Sequence, residues 1–348
     1  SETHAEREDA MNISQHNRVG SLQRGTLTLL MALIVPIGIL HACLQKPQPR
    51  ITHSLGSSTQ QVDVLWLKQE ILTKITSGGN GTIYAMPISR EWLMAINARD
   101  GTPIWNTELP LERGGGARGL LTNQNTVFVT TNIIADAYET TTGKLQWSTR
   151  LGNGHVSVIP QLDSNILRIY YGGKLIELDP KTGKMLTTIP KDNITWVSGD
   201  VVLQSSTTKQ VVALDRRSNK SLWTNDRLFY IDEGKQPLDI GDGKLIVGFV
   251  RGICALDLRT GKYNWCRPEI YISNLAIDYQ SQRGFAMRDD LMLLTIDLHT
   301  GKVLGETRFL SSKLVDEQLG FLSSIAFSNG VVVVSFSDSG QTFGLEFK

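Results

Sequence analysis

One short pattern, returning about every 40 residues, constrains the fold of this chain more than its length or composition does. Its clearest copy is Asp257-Leu258-Arg259-Thr260-Gly261-Lys262-Tyr263-Asn264-Trp265, entered from the apolar run Gly252-Ile253-Cys254-Ala255-Leu256. These residue types specify a hairpin. The Asp carboxylate can accept hydrogen bonds from backbone N–H groups of the turn, Gly takes a positive φ without Cβ strain, and Trp lays a wide apolar surface on the outgoing strand.

With the glycine as marker, copies fall at Gly101, Gly143, Gly183, Asn219, Gly261 and Gly301, separated by 42, 40, 36, 42 and 40 residues. Asn219 keeps the pattern, because Asn is the residue other than Gly that best tolerates left-handed backbone. Trp105, Trp147, Trp223 and Trp265 follow four of the turns; Thr187 and Gly305 stand where the other two would carry Trp. Upstream of the hairpins lie further short apolar runs, such as Thr126-Val127-Phe128-Val129 and Lys244-Leu245-Ile246-Val247. An array of this period, built from short β runs, indicates an all-β propeller rather than one large sheet.

The two ends of the array complement each other. Val62 to Leu67 carries Trp66 but lacks the strands that should precede it, whereas Val331–Phe336 and Thr342–Phe347 are such strands without an outgoing Trp strand. Gly344-Leu345-Glu346 aligns on Ala255-Leu256-Asp257. The N-terminal strand is therefore expected to complete the last blade, closing a seven-bladed ring over residues 61–348 and leaving no open edge.

Ahead of the ring the chain divides into three stretches. Residues 1–24 are polar and without period, as in a disordered tail. Residues 25–45 contain no charge, and Thr26 to Leu40 is strongly apolar; about 20 such residues cross a bilayer as a helix. Leu40-His41-Ala42-Cys43 also resembles a lipobox, which makes Cys43 a lipidation candidate. A retained transmembrane signal anchor and a lipoprotein signal both remain open. Residues 46–60, with Pro, Gly and Ser in no pattern, read as a linker.

Composition removes several function classes. Basic and acidic residues number 35 and 34, so there is no broad field for nucleic acid. Three cysteines exclude a Cys-based zinc cluster and a disulfide-rich scaffold. Cys254 and Cys266 are equidistant from Thr260 and are expected to face each other where the strands pair symmetrically about it; a cross-strand disulfide and two reduced core cysteines are both open. Of six histidines, His4, His16, His41 and His53 precede the array, leaving His155 and His299. No catalytic constellation and no metal set can be assembled from these. The connections between blades, which should lie near a channel mouth, hold the weak binding candidates Arg113, Arg118, His155, Trp196, Glu233 and Tyr271.

The run Ala255-Leu256-Asp257-Leu258-Arg259-Thr260-Gly261-Lys262 with Trp265 resembles the pyrroloquinoline-quinone-like propeller repeat, whose hallmark is an Ala-Leu-Asp-x-x-Thr-Gly-x-x-x-Trp hairpin. The resemblance spans essentially all of residues 61–348. It implies that Trp66, Trp105, Trp147, Trp223 and Trp265 dock between blades as structural residues, and that Thr187 and Gly305 mark thinner seams. That family holds quinone-dependent dehydrogenases and, separately, short membrane-tethered scaffolds such as the lipoprotein of the outer-membrane β-barrel assembly machinery. No adjacent cysteines or calcium-binding acidic set of the dehydrogenase kind stand out here. The expectation is thus a non-enzymatic propeller tethered on the extracytoplasmic side, periplasmic or at the cell surface. It would serve as scaffold, assembly or accessory subunit of an integral membrane protein complex, without cofactor, metal, nucleic acid or small-molecule substrate. The alternative is a quinone- or sugar-binding propeller that uses the channel mouth.

Overall fold

Turn chemistry builds each hairpin as the residue types require. In the clearest copy, Asp257 Oδ1 accepts from the backbone N–H of Arg259 at 3.1 Å and of Thr260 at 2.7 Å, and from the Thr260 hydroxyl at 2.8 Å. The Gly261 N–H donates to the Asp257 carbonyl at 2.8 Å, and Gly261 holds φ 68°. The hydroxyl and N–H bonds from Thr260 keep the Asp257 carboxyl below its usual range; Thr300 does the same for Asp297, and Ser218 for Asp215.

The computed structural model describes residues 51–52, 62–89, 91–109, 118–152, 159–163, 165–171, 174–190, 194–205, 210–225, 237–249, 252–270, 275–288, 291–308 and 322–347. The expected tail, the apolar segment 25–45, Cys43 and most of the linker lie outside the described residues. No helix among the described residues is long and apolar enough to cross a membrane.

Seven antiparallel sheets follow one another. Blade 1 is β3 (Leu72–Ser77), β4 (Thr82–Pro87), β5 (Trp92–Asn97) and β6 (Pro103–Glu108). Blade 2 is β7 (Gly119–Thr122), β8 (Thr126–Thr130), β9 (Ile134–Glu139) and β10 (Leu145–Arg150), and blade 3 is β11 (Ile159–Asp163), β12 (Ile166–Tyr171), β13 (Lys174–Leu178) and β14 (Met185–Pro190). Blade 4 comprises β15 (Ile194–Ser198), β16 (Val201–Ser205), β17 (Val211–Asp215) and β18 (Ser221–Asn225); blade 5 comprises β19 (Leu238–Gly241), β20 (Lys244–Phe249), β21 (Gly252–Asp257) and β22 (Tyr263–Arg267). Blade 6 holds β23 (Leu275–Asp278), β24 (Arg283–Met287), β25 (Met292–Asp297) and β26 (Val303–Arg308).

Blade 7 is made from both ends of the array. Its strands β27 (Leu322–Ser328), β28 (Val331–Phe336) and β29 (Thr342–Phe347) are completed by β2 (Val62–Lys68), with Val64 opposite Leu345 and Trp66 opposite Gly344. A two-residue strand, β1 (Ile51–Thr52), adds to the outer edge of β2. First strands of neighbouring sheets touch, β3 with β7, β7 with β11, β23 with β27, and β27 back to β3, so they surround the axis and the ring is closed. Seven blades and the shared last blade agree with the reading of the repeats.

Packing follows from this arrangement. The sheets stack face to face, so the second and third strands are covered on both sides and read as continuous apolar runs, as in β8 and β21. Outer strands alternate, with the Trp position half-buried between exposed neighbours in β6 and β10. The core is accordingly a set of inter-blade layers, for example Leu203 and Ala213 of blade 4 against Leu245, Val247 and Leu256 of blade 5.

Candidate functional site

Each blade carries one cross-strand row whose side chains face the next blade, and the seven rows show where the repeat is kept and where it is abandoned. Five follow one scheme, from axis to rim: Thr76–Tyr84–Ala95–Trp105, Leu121–Phe128–Ala137–Trp147, Trp196–Leu203–Ala213–Trp223, Leu238–Ile246–Ala255–Trp265 and Ala326–Val333–Gly344–Trp66. A small residue in the third place leaves room beneath the indole; a Cβ on Gly344 would run into the Trp66 ring.

Each of the five indoles donates its N–H to the next blade, to the carbonyl one residue after the Asp position. Trp66 reaches Ala98 at 2.7 Å, Trp105 Thr140 at 2.9 Å, Trp147 Pro180 at 3.0 Å, Trp223 Leu258 at 2.9 Å and Trp265 Leu298 at 2.9 Å. The rings also lie on the turn glycines. A Cβ at Gly101, Gly143, Gly183, Gly261 or Gly301 would come within 2.5 or 2.6 Å of the indole from the preceding blade. Those glycines thus answer two demands, a positive φ and a flat surface for the ring.

Asn219 shows the two demands separated. It keeps φ 56°, but the blade before it carries Thr187 instead of Trp, so no indole needs the space. Sequence reasoning explained Asn219 by φ alone and missed this pairing, although Thr187 and Asn219 are the odd members of adjacent copies.

Blade 3 has replaced its whole row with polar groups: Gln161–Arg168–Glu177–Thr187. Arg168 is 1 % exposed. Its Nε donates to Glu177 at 2.9 Å and its Nη1 to Asp163 at 2.7 Å, while Arg216, from the turn of blade 4, donates to the same Glu177 oxygen at 3.0 Å. Burial opposes the Arg168 charge, and the two carboxylates outweigh it, holding the guanidinium above its usual pKa. Gln161 bonds the Val197 carbonyl of blade 4 and accepts from the Tyr170 hydroxyl at 3.1 Å. Burial drives the Tyr170 phenol well above its ordinary value, against the pull of Arg168.

At the other substituted seam the ring comes from a different strand. Phe285, in the second strand of blade 6, stacks on Phe327 of blade 7 with centroids 4.9 Å apart, and Phe347 lies 4.9 Å from it on another side. Neither seam is thinner in the sense expected from Thr187 and Gly305. One is filled by an ionic row and the other by three phenylalanines.

Two of the six predicted binding residues, Arg118 and Trp196, are among the described residues. Arg113, His155, Glu233 and Tyr271 lie outside the described residues. Arg118 precedes β7 at the surface and donates from Nε to Asn132 at 3.2 Å. Trp196 is in β15 rather than in a blade connection, 6 % exposed between blades 4 and 5. Cys254 and Cys266, directly opposed in β21 and β22, are bonded, with Cα atoms 4.0 Å apart.

A cavity of about 220 Å³ lies on the axis, lined by the innermost members of four consecutive rows, Leu121, Gln161, Trp196 and Leu238, together with Asp163, Ser198 and Asp239. Asp163 and Ser198 end their strands, which puts this mouth at the first-to-second-strand turns. Of the residues proposed from sequence, Trp196 lines this cavity. Among the described residues, no group of three or more His, Cys, Asp or Glu side chains could hold a metal ion.

These features define a class: a closed, seven-bladed propeller of pyrroloquinoline-quinone-like repeats whose five repeat-position tryptophans are engaged in its seams. A sequence model of one protein family, described as outer membrane protein assembly factor BamB, matches residues 63–191 and 186–339, and the chain belongs to that family. No curated protein matches the chain. Among solved structures it is similar to "The crystal structure of BamB from Moraxella catarrhalis", with 15 % identity, a TM-score of 0.49, and coverage of 85 % of this chain and 95 % of that one.

Proposed function

We propose that this protein is a non-enzymatic accessory subunit of an outer-membrane protein assembly complex, acting through protein–protein contacts on the extracytoplasmic side. Membership of the BamB family carries the reading. The fold supports it physically: a closed ring is a rigid body, and its most chemically rich repeat residues are spent on indole docking, turn geometry and one ionic seam. Residues 25–45 supply the membrane attachment, as a retained helix or through lipidated Cys43.

Co-purification tests this directly. Natively expressed, tagged protein extracted in mild detergent should bring down an integral outer-membrane partner in constant ratio, and deletion of the gene should lower outer-membrane β-barrel protein levels. Recovery as a lone monomer with unchanged β-barrel levels overturns the reading. Added pyrroloquinoline quinone with calcium should leave Tm unchanged, whereas a rise would point to a quinone enzyme.

A further inference from the structure

The outer strand of each blade has a free edge, and the molecule itself shows what such an edge can hold. In blade 7 the two-residue strand β1 pairs antiparallel with the outer edge of β2, Ile51 opposite Val64 and Thr52 opposite Asp63. Blade 7 thus carries a fifth strand, whereas no described strand pairs with the outer edge of the other six. Leu65, the extra residue of the bulge in β2, is half-buried there. Its counterparts in four of the bare blades, Ile104, Leu186, Leu222 and Leu304, are all exposed.

The bare edges are not equally guarded. Natural edge strands discourage pairing by carrying charge, and here Glu108 serves in β6, Arg150 in β10, Arg267 in β22 and Arg308 in β26. The strand β14, Met185-Leu186-Thr187-Thr188-Ile189-Pro190, carries no charge over its six residues. Uncharged β18 exposes one large apolar side chain, Leu222, but β14 exposes two in succession, Met185 at 42 % and Leu186 at 52 %. With Thr187 at the repeat position, β14 also lacks the indole bond that ties five other outer strands to the following blade. Charge stands at its ends instead: exposed Lys184 precedes Met185, and exposed Lys174 lies opposite Pro190.

We infer that the outer edge of β14 is a docking site for an extended polypeptide segment of a partner protein, added antiparallel as a fifth strand of blade 3. Main-chain hydrogen bonds supply the affinity, apolar side chains of the segment cover Met185 and Leu186, and acidic residues at its ends meet Lys174 and Lys184. A second copy of this chain fits less well. Antiparallel pairing about Thr187 would place Lys184 of each copy opposite Pro190 of the other, one strand away from a second lysine.

The test uses the full chain in detergent and a fluorescein-labelled peptide, Glu-Val-Thr-Val-Thr-Val-Glu, followed by fluorescence anisotropy. Binding should saturate. Two isomers N-methylated on alternate amides identify strand pairing, because an extended segment turns alternate N–H groups to opposite sides: one isomer should bind as the parent does and the other should not. Leu186→Lys, at an exposed position, should weaken binding roughly tenfold, as loss of a leucine-sized apolar contact predicts. Ile104→Lys, on the edge of blade 1, should leave it unchanged. A peptide with Lys in place of both Glu should bind more weakly, most clearly at low salt. Absence of saturable binding up to millimolar peptide overturns the inference, as does equal binding by the two N-methyl isomers or an equal effect of the two substitutions. Sedimentation of the chain alone supplies the remaining outcome: concentration-dependent dimers abolished by Leu186→Lys would put a second copy on β14 in place of a partner segment. Failure here leaves the assembly role standing, because that role is read by co-purification.

Discussion

Replacing Gly143 by Ala separates what the turn glycine does for backbone from what it does for its neighbour. At φ 70° an added Cβ meets left-handed strain of roughly 1–2 kcal/mol. It also sits 2.5 Å from the Trp105 ring and 2.5 Å from Thr107 Oγ1. Both are tied to the same turn, Trp105 donating to the Thr140 carbonyl at 2.9 Å and Thr107 to the Gly143 carbonyl at 2.8 Å, so neither can retreat without losing a hydrogen bond. Overpacking of this kind adds about 1–3 kcal/mol, for a total of roughly 2–5 kcal/mol. Asn219→Gly is the counterpart: the preceding blade carries Thr187 in place of Trp, and relief of strain at φ 56° should leave stability within about 1 kcal/mol of wild type. Urea unfolding followed by circular dichroism measures both, provided the m-value is unchanged. A Gly143→Ala loss below about 1 kcal/mol, or a comparable loss for Asn219→Gly, refutes the claim that indole contact decides which turns must carry glycine.

Three further outcomes follow from the ionic seam, the disulfide and the turn carboxylates. Glu177→Gln leaves the buried Arg168 short of a counter-charge and should cost about 3–5 kcal/mol in urea unfolding; a loss below about 1 kcal/mol would mean the row is solvated. Cys266→Ser opens a cross-link spanning a sequence separation of 12 and should cost about 2–3 kcal/mol, while the unreduced wild-type chain should gain two hydrogens in intact mass on reduction; free thiols before reduction would contradict the bond. Asp215, Asp257 and Asp297 have folded pKa values below their unfolded ones, so the unfolded chain binds more protons. Their contribution is present above about pH 4 and is lost as pH falls through the folded values, and Asp257→Asn should flatten that acid limb of a Tm-against-pH curve.

The ring was legible because its signal is periodic and local. Asp, Thr, Gly and Trp at fixed offsets encode a hairpin whose bonds close within a few residues, and the missing strands at the two ends name each other. The axial cavity was not legible. Gln161, Trp196 and Asp239 come from three blades and meet only because first strands converge on the axis, which no spacing along the chain announces. Thr187 and Gly305 were visible as gaps in the Trp series, but their replacements, Arg216 from the next turn and Phe285 from another strand, reside in different copies and different offsets.

Blade 7 has a consequence for the order in which the molecule can be made. The strand bearing Trp66 is synthesised before any of the six complete blades, and its partner Gly344 after all of them. Until β28 and β29 arrive, a growing chain presents that strand with no sheet to join. The molecule therefore reaches its stable form in one late, long-range step, of the kind that folds slowly. Loss of only the last few residues, from Thr342 onward, would leave nearly every blade intact and the ring unclosed, a product that proteases should distinguish readily from the finished protein.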